Sequence, residues 1–360
     1  VPWQSPTAPA YALRENLPSG GGKGAPTSVK DAPSKEKKGI APGSLGSAFE
    51  SAEVSNDTYI DARIANTAVS LLPGLAAKPE PFFLAVGFQR PHLPFVAPKK
   101  YWDLYDPATI PLATNKFRAK DAPEYSVQPG FELRFYKGIP RDSIPDDLAR
   151  QLKHGYYAAL SYMDAQLGKV LDELDRLGLA KNTIVILWGD HGWKLGEHDA
   201  WAKNSNSEDD TRSPLLLAVP GMKHAGARTD AIVEFVDIYP TLSALAGLPP
   251  PRSGHLEGAS FSPVLDDPRR GWKRAAFSQF PRVVDGRALM GYTMRTDRHR
   301  LTVWADRGDS ANVKAIELYD HALDPQENVN IASLPANAAL VERLLAQRRE
   351  GWRAALPPTR

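Results

Sequence analysis

The sequence predicts an α/β protein with a largely parallel central sheet, followed by a small C-terminal α+β subdomain built on an antiparallel sheet. Three observations point there. Residues 82–88, 183–188 and 214–219 are short, unbroken apolar runs, as expected of strands covered on both faces. Helix-period segments lie between them, and strands separated by helices imply parallel crossovers. Beyond Asp266-Asp267-Pro268-Arg269-Arg270 the texture changes to short alternating runs, the pattern of a half-buried antiparallel sheet. The expected division is 1–45 as a loop or linker, 46–268 as the α/β domain and 269–360 as the C-terminal subdomain.

Taken in order, residues 1–45 are rich in Pro, Gly and Ser and carry Lys30, Lys35, Lys37 and Lys38, a mix too poor in apolar side chains to order itself. Asn56 or Asp57 can cap a helix to about Leu72, with Ile60, Ile64, Ala68 and Leu71/Leu72 on its buried face and Pro73-Gly74 as the stop. The spacing of Leu148, Leu152, Tyr156, Ala159, Met163, Leu167, Val170 and Leu174 predicts a helix over 142–177, with Pro145 in its first turn and Gly178 ending it. A helix is expected over 236–246, closed by Gly247, then strands near 275–280, 289–295, 300–305 and 315–319, and a last helix over 336–352.

The 44 basic and 42 acidic side chains among 360 residues leave a net charge of 44 − 42 = +2, which argues against a nucleic-acid binder. A 42% hydrophobic chain of this length suits two domains, at roughly 150 residues per domain. No apolar stretch approaches the ~20 residues of a membrane-crossing helix. Cysteine is absent, so disulfides, thiolate metal sites and a cysteine nucleophile are excluded from these residues. Val1 follows neither an initiator Met nor a signal-peptide pattern, and an upstream segment is therefore expected.

Ligands of open α/β sheets gather beyond the carboxyl ends of strands, and two such places are dense in functional groups. After the run ending at Trp188 come Gly189-Asp190-His191-Gly192-Trp193. A carboxylate beside an imidazole, flanked by glycines that permit close approach, suits a divalent cation, and oxygen ligation favours Ca²⁺ or Mg²⁺. A turn cap with a packed histidine would also explain the pair. Glu197, His198, Trp201 and Lys203 beyond it exceed what a turn needs. The second place is Arg90-Pro91-His92-Leu93-Pro94, where two prolines hold an imidazole in one direction, as a proton donor requires and as a rigid surface turn would also show. Lys203 is a point charge suited to an oxyanion. Arg90 and Lys194 could fill the same part, and spacing does not choose among them. Trp193 fits either a sugar-stacking face or the core. P-loop, GxGxxG, HExxH and GxSxG patterns are absent.

The stretch from Asp190 to His198, followed by Trp201-Ala202-Lys203, resembles the metal-and-lysine segment of the type I sulfatases of the alkaline phosphatase superfamily, in particular the iduronate-2-sulfatase branch. Residues 82–95, 236–242, 290–296 and 317–320 with Asp324-Pro325 resemble the same branch, in family order. The resemblance implies an alkaline-phosphatase-like α/β sandwich, calcium ligation by Asp190 and His191, sulfate contacts from Lys203 and His92, and substrate contacts from Trp193 and Arg90. It implies hydrolysis of a sulfuric ester on a sulfated sugar, in which a formylglycine hydrate attacks sulfur and a cation with a histidine stabilises the departing alkoxide. It also implies a periplasmic, secreted or lysosome-like setting. The family's Cys-x-Pro-Ser-Arg or Ser-x-Pro-Ser-Arg nucleophile motif is absent, so the chain reads as the C-terminal part of such an enzyme, with a truncated sheet. A phosphodiesterase or phosphonate hydrolase of the same superfamily, and a non-catalytic homologue that binds sulfated glycans, are the competing expectations.

Overall fold

The computed structural model describes residues 8–18, 43–128, 132–249 and 256–357. In chain order the principal elements are β1 (Leu45–Ser47), β2 (Phe49–Ala52), α1 (Ile60–Ala76), β3 (Phe95–Pro98), β4 (Tyr136–Lys137), α2 (Asp146–Arg176), β5 (Val185–Trp188), β6 (Lys194–Leu195), β7 (Trp201–Ala202), β8 (Leu215–Ala218), α3 (Ile238–Leu245), β9 (Ala276–Val284), β10 (Arg287–Arg295), β11 (His299–Asp306), β12 (Asp309–Asp320) and α4 (Ala338–Ala355). They form two compact units that interleave along the chain. Of the described residues, one comprises those within 1–114, 129–182 and 195–202, and the other those within 115–128, 183–194 and 203–360. The change of texture near residue 268 falls inside the second.

In the first unit β1 pairs with β4 and β2 with β3, both in parallel. The core is aromatic: Tyr59, Tyr101, Trp102 and Tyr162 pack with Ala62, Val96, Ala97 and Ala158. Helix α1 begins at Ile60 without a side-chain cap, because Asp57 is engaged instead by Asn66 and Lys169. It also runs through Pro73 to Ala76. A proline loses its own bond and crowds the carbonyl of the preceding turn, but here it lies in the last turn, and the Pro73 carbonyl still accepts from Ala77 N. Its buried face is Asp61, Ala62, Ala65, Ala68 and Leu72, rotated from the stripe that Ile60 and Ile64 suggest. Residues 8–18, expected to be unordered linker, are packed: Tyr11 is buried and donates to Ser47 O, and the Glu50 carboxylate accepts from Ala12 N, Leu13 N and Asn16 Nδ2. One aromatic anchor and one multiply bonded carboxylate suffice where composition alone argues for disorder. The rest of the expected linker, 1–7 and 19–42, lies outside the described residues.

Two strand expectations change. The run 82–88 joins no ladder among the described residues, and Phe83 is 83% exposed; an apolar run becomes a strand only where a partner backbone meets it. The β5–β8 pair is antiparallel. A parallel return needs a full crossover element, and between Trp188 and Leu215 the helical content is two short turns, Glu197–Asp199 and Glu208–Thr211.

The second unit carries the four-stranded antiparallel sheet, in the order β12-β11-β10-β9. Met294, Leu301, Val303 and Leu318 on one face pack with Val341 and Leu344 of α4, in agreement with the expected antiparallel sheet and closing helix.

Candidate active site

In the second unit the segment after β5 folds back on residues 209–214. Gly189 N donates to Pro214 O at 3.1 Å, and Gly192 N to Asp210 O at 2.8 Å. A Cβ on residue 192 would stand 1.9 Å from Asp209 O, so only glycine allows this approach. The turn presents Asp190 and His191 side by side. His191 Nδ1 faces the Gly192 carbonyl at 2.8 Å, and because a carbonyl only accepts, Nδ1 carries the hydrogen. Nε2 is buried without a hydrogen-bond partner among the described residues, and Asp190 Oδ1 lies 3.5 Å away. In the neutral ring Nε2 offers a lone pair, so one oxygen and one nitrogen donor could face a shared cation here.

Trp193 stacks on His191, with centroids 6.0 Å apart and planes inclined by 25°, and Lys203 Nζ sits 4.7 Å above the Trp193 ring. Four expected site residues, Asp190, His191, Trp193 and Lys203, are thus brought together. The three candidate cations differ in their surroundings. Lys194 is 1% exposed and is held by Asp210 and by Ser205 at 3.0 Å, which makes it a structural ion pair. Arg90 is 7% exposed and turned into its own loop, where Nη1 donates to His92 O at 2.9 Å. Through this bond Arg90 braces the backbone of His92.

In the first unit, the turn that carries His92 hangs on Asp61, which accepts from Gln89 N and Arg90 N at 2.8 and 3.0 Å. Burial pushes the Asp61 carboxyl up, against the pull of Arg90 and these two amides. Both peptide bonds preceding Pro91 and Pro94 are cis. His92 Nδ1 lies 2.7 Å from Leu93 O, and Nε2 lies 2.9 Å from Glu132 Oε1. The ring is thus set between a backbone carbonyl and a buried carboxylate. Asp61, Glu132 and Asp210 escaped the sequence reading. A carboxylate inside the helical stripe was a visible signal for Asp61, whereas Glu132 and Asp210 meet their partners only in three dimensions.

Glu208, His321 and Glu327 also converge, but two guanidiniums already occupy the carboxylates. Arg295 holds Glu208 and Arg300 holds Glu327. Burial alone would raise Glu327, yet Arg300 and His321 hold its carboxyl down to about 2. A dication there would meet two fixed positive charges, so the cluster is an ion-pair network.

The sulfatase family profile matches residues 23–248, and that of the C-terminal region of N-sulphoglucosamine sulphohydrolase matches 196–352. Iduronate 2-sulfatase of Mus musculus is 33% identical across 81% of this chain and 65% of its own length; that of Homo sapiens is 32% identical across 78% and 63%. The chain thus spans slightly under two thirds of these relatives. Among solved structures, a phosphonate monoester hydrolase from Silicibacter pomeroyi superposes with a TM-score of 0.71 at 23% identity, covering 87% of this chain and 64% of that one. A structure solved with its substrate D-glucosamine-2-N,6-O-disulfate gives a TM-score of 0.68 at 22% identity, covering 83% and 71%. These superpositions agree with the α/β fold, and the sulfatase profile match extends over more than half of the residues: the chain belongs to the sulfatase family.

Proposed function

We propose that this chain supplies part of the active site of a calcium-dependent sulfuric ester hydrolase acting on a sulfated sugar of glycosaminoglycan type. The convergence of Asp190, His191, Trp193 and Lys203 carries the reading. Asp190 Oδ1 and His191 Nε2 would hold Ca²⁺ in preference to Mg²⁺, because a dehydrated octahedral Mg²⁺ site demands a tighter oxygen cage than these two donors begin. The ion, when bound, neutralises sulfate charge. Lys203 would place its ammonium on a sulfate oxygen, and Trp193 offers a flat apolar face for the sugar ring. His92, set beside Glu132, would donate to the ester oxygen as it departs. The nucleophile, a formylglycine in the family pattern, would come from sequence outside residues 1–360, and the setting would be periplasmic, secreted or lysosomal. No helix of the described residues is long and apolar enough to cross a membrane.

The test is desulfation of a 2-sulfated uronate disaccharide by a protein extended upstream to the length of the relatives. Lys203→Ala is expected to lower kcat/KM by about 10²-fold, the loss of one transition-state charge contact; an unchanged rate removes Lys203 from the site. The 360-residue chain alone is expected to turn over no aryl sulfate with Ca²⁺ present. Turnover abolished by Asp190→Ala would overturn the partial-site reading. A multifunctional alkaline phosphatase superfamily protein of Trinickia caryophylli, 28% identical over 84% of this chain, keeps a second reading open. Faster cleavage of a phosphonate monoester than of the sulfate would favour it.

A further inference from the structure

We propose that Arg282, on β9, is a positioning residue for Lys203, acting through the backbone of the loop that carries it. The proposal deepens the assignment of Lys203 as a sulfate contact and rests on it.

Lys203 stands between two residues in the left-handed region, Ala202 at φ 70° and Asn204 at φ 92°. Alanine has no side-chain bond with which to offset that conformation, and such backbone persists only where its surroundings over-determine it. The bracing comes from the antiparallel sheet. Arg282 is 4% exposed, and its Nη2 donates to Asn204 O at 2.7 Å and to Ser126 O at 3.1 Å. Its Nε donates to Tyr125 O at 2.7 Å, and Nη1 to Pro281 O at 3.1 Å. The guanidinium also lies over the rings of Phe280 and Trp304.

All four of these hydrogen bonds go to carbonyl oxygens. A buried charge ordinarily sits against a carboxylate, and a well-packed apolar side chain would fill the same space without the desolvation cost. What an apolar residue would not do is tie Asn204 O to Tyr125 and Ser126 with one rigid fork. The far end of the loop has separate anchors. Arg300 donates to Asn206 O, and Asn206 Nδ2 donates to Gly291 O at 3.1 Å. A Cβ on residue 291 would come within 2.5 Å of that amide nitrogen, so Asn206 depends on glycine opposite it. Arg282 alone of these grips the residue next to Lys203.

The position of Lys203 over Trp193 supplies a readout that needs no turnover. Lysines of the 360-residue chain are converted to ¹³C-dimethyl-lysines, which keep their charge, and the Lys203 resonance is identified by its loss in Lys203→Arg. Ring current from Trp193 is expected to set that resonance upfield of the other lysines. Arg282→Met is expected to return it to their envelope while the thermal transition stays cooperative, and Arg282→Lys, which keeps the charge but loses the fork, to return it most of the way. A full upfield shift in either folded variant would overturn the proposal. Loss of fold in both would overturn it too, because the guanidinium would then support the unit rather than the loop. Titration with inorganic sulfate separates the underlying assignment: a Lys203 resonance indifferent to sulfate removes Lys203 from sulfate binding, whatever Arg282→Met does to its position.

Discussion

The loop that carries His92 and the loop that carries Lys203 present their functional groups by opposite means. His92 is held from nearby in sequence by Arg90 on its own carbonyl, with Asp61 gripping the backbone of residues 89 and 90. Lys203 is held from far along the chain, by Arg282 and Arg300 reaching the carbonyls of its loop from the C-terminal sheet. The first arrangement ties the His92 loop to one helix. The second makes the Lys203 loop depend on the folding of an entire subdomain, so damage to the C-terminal sheet should reach the lysine and leave the histidine loop intact.

The largest expected effect is on the second loop. Arg300→Met would strand Glu327 in the core beside Glu208 and is expected to cost about 3–5 kcal/mol of unfolding free energy, read by urea denaturation of the 360-residue chain. A loss below about 1 kcal/mol would show that the network does not support the sheet. On the first loop, Asp61→Ala leaves the amides of Gln89 and Arg90 without their acceptor and is expected to cost about 2–3 kcal/mol, with little change in the Lys203 resonance. If that resonance moves as it does in Arg282→Met, the two loops are not independently held.

The pH dependence is a milder probe. Glu327 has its folded-state carboxyl lowered from 4.5 to about 2, so its contribution is fully present above about 4.5 and is lost as pH falls toward 2. Stability is therefore expected to decline below pH 4.5 in the native chain and to decline less in a Glu327→Gln variant, as followed by thermal melts in acetate and glycine buffers. Equal slopes would assign acid sensitivity to other groups.

The periodic helices, the antiparallel sheet and the group Asp190, His191, Trp193 and Lys203 were legible from residue order, because helical stripes and strand-end motifs are short-range patterns. The orientation of β8 was not, since direction depends on whether a crossover helix forms between two apolar runs. Nor was the difference between Lys203 and Lys194. Both are lysines in one polar stretch, and only the burial of Lys194 against Asp210 and Ser205 separates a structural charge from one set over an aromatic face.

By itself the sequence determined the family and the residue types of the candidate site, because these lie in contiguous segments whose chemistry is readable in one dimension. The tertiary structure alone decided that Glu132 faces His92, that Arg90 turns inward and that Arg282 reaches Asn204. Those contacts join residues far apart in the chain or depend on burial, and no local spacing encodes them.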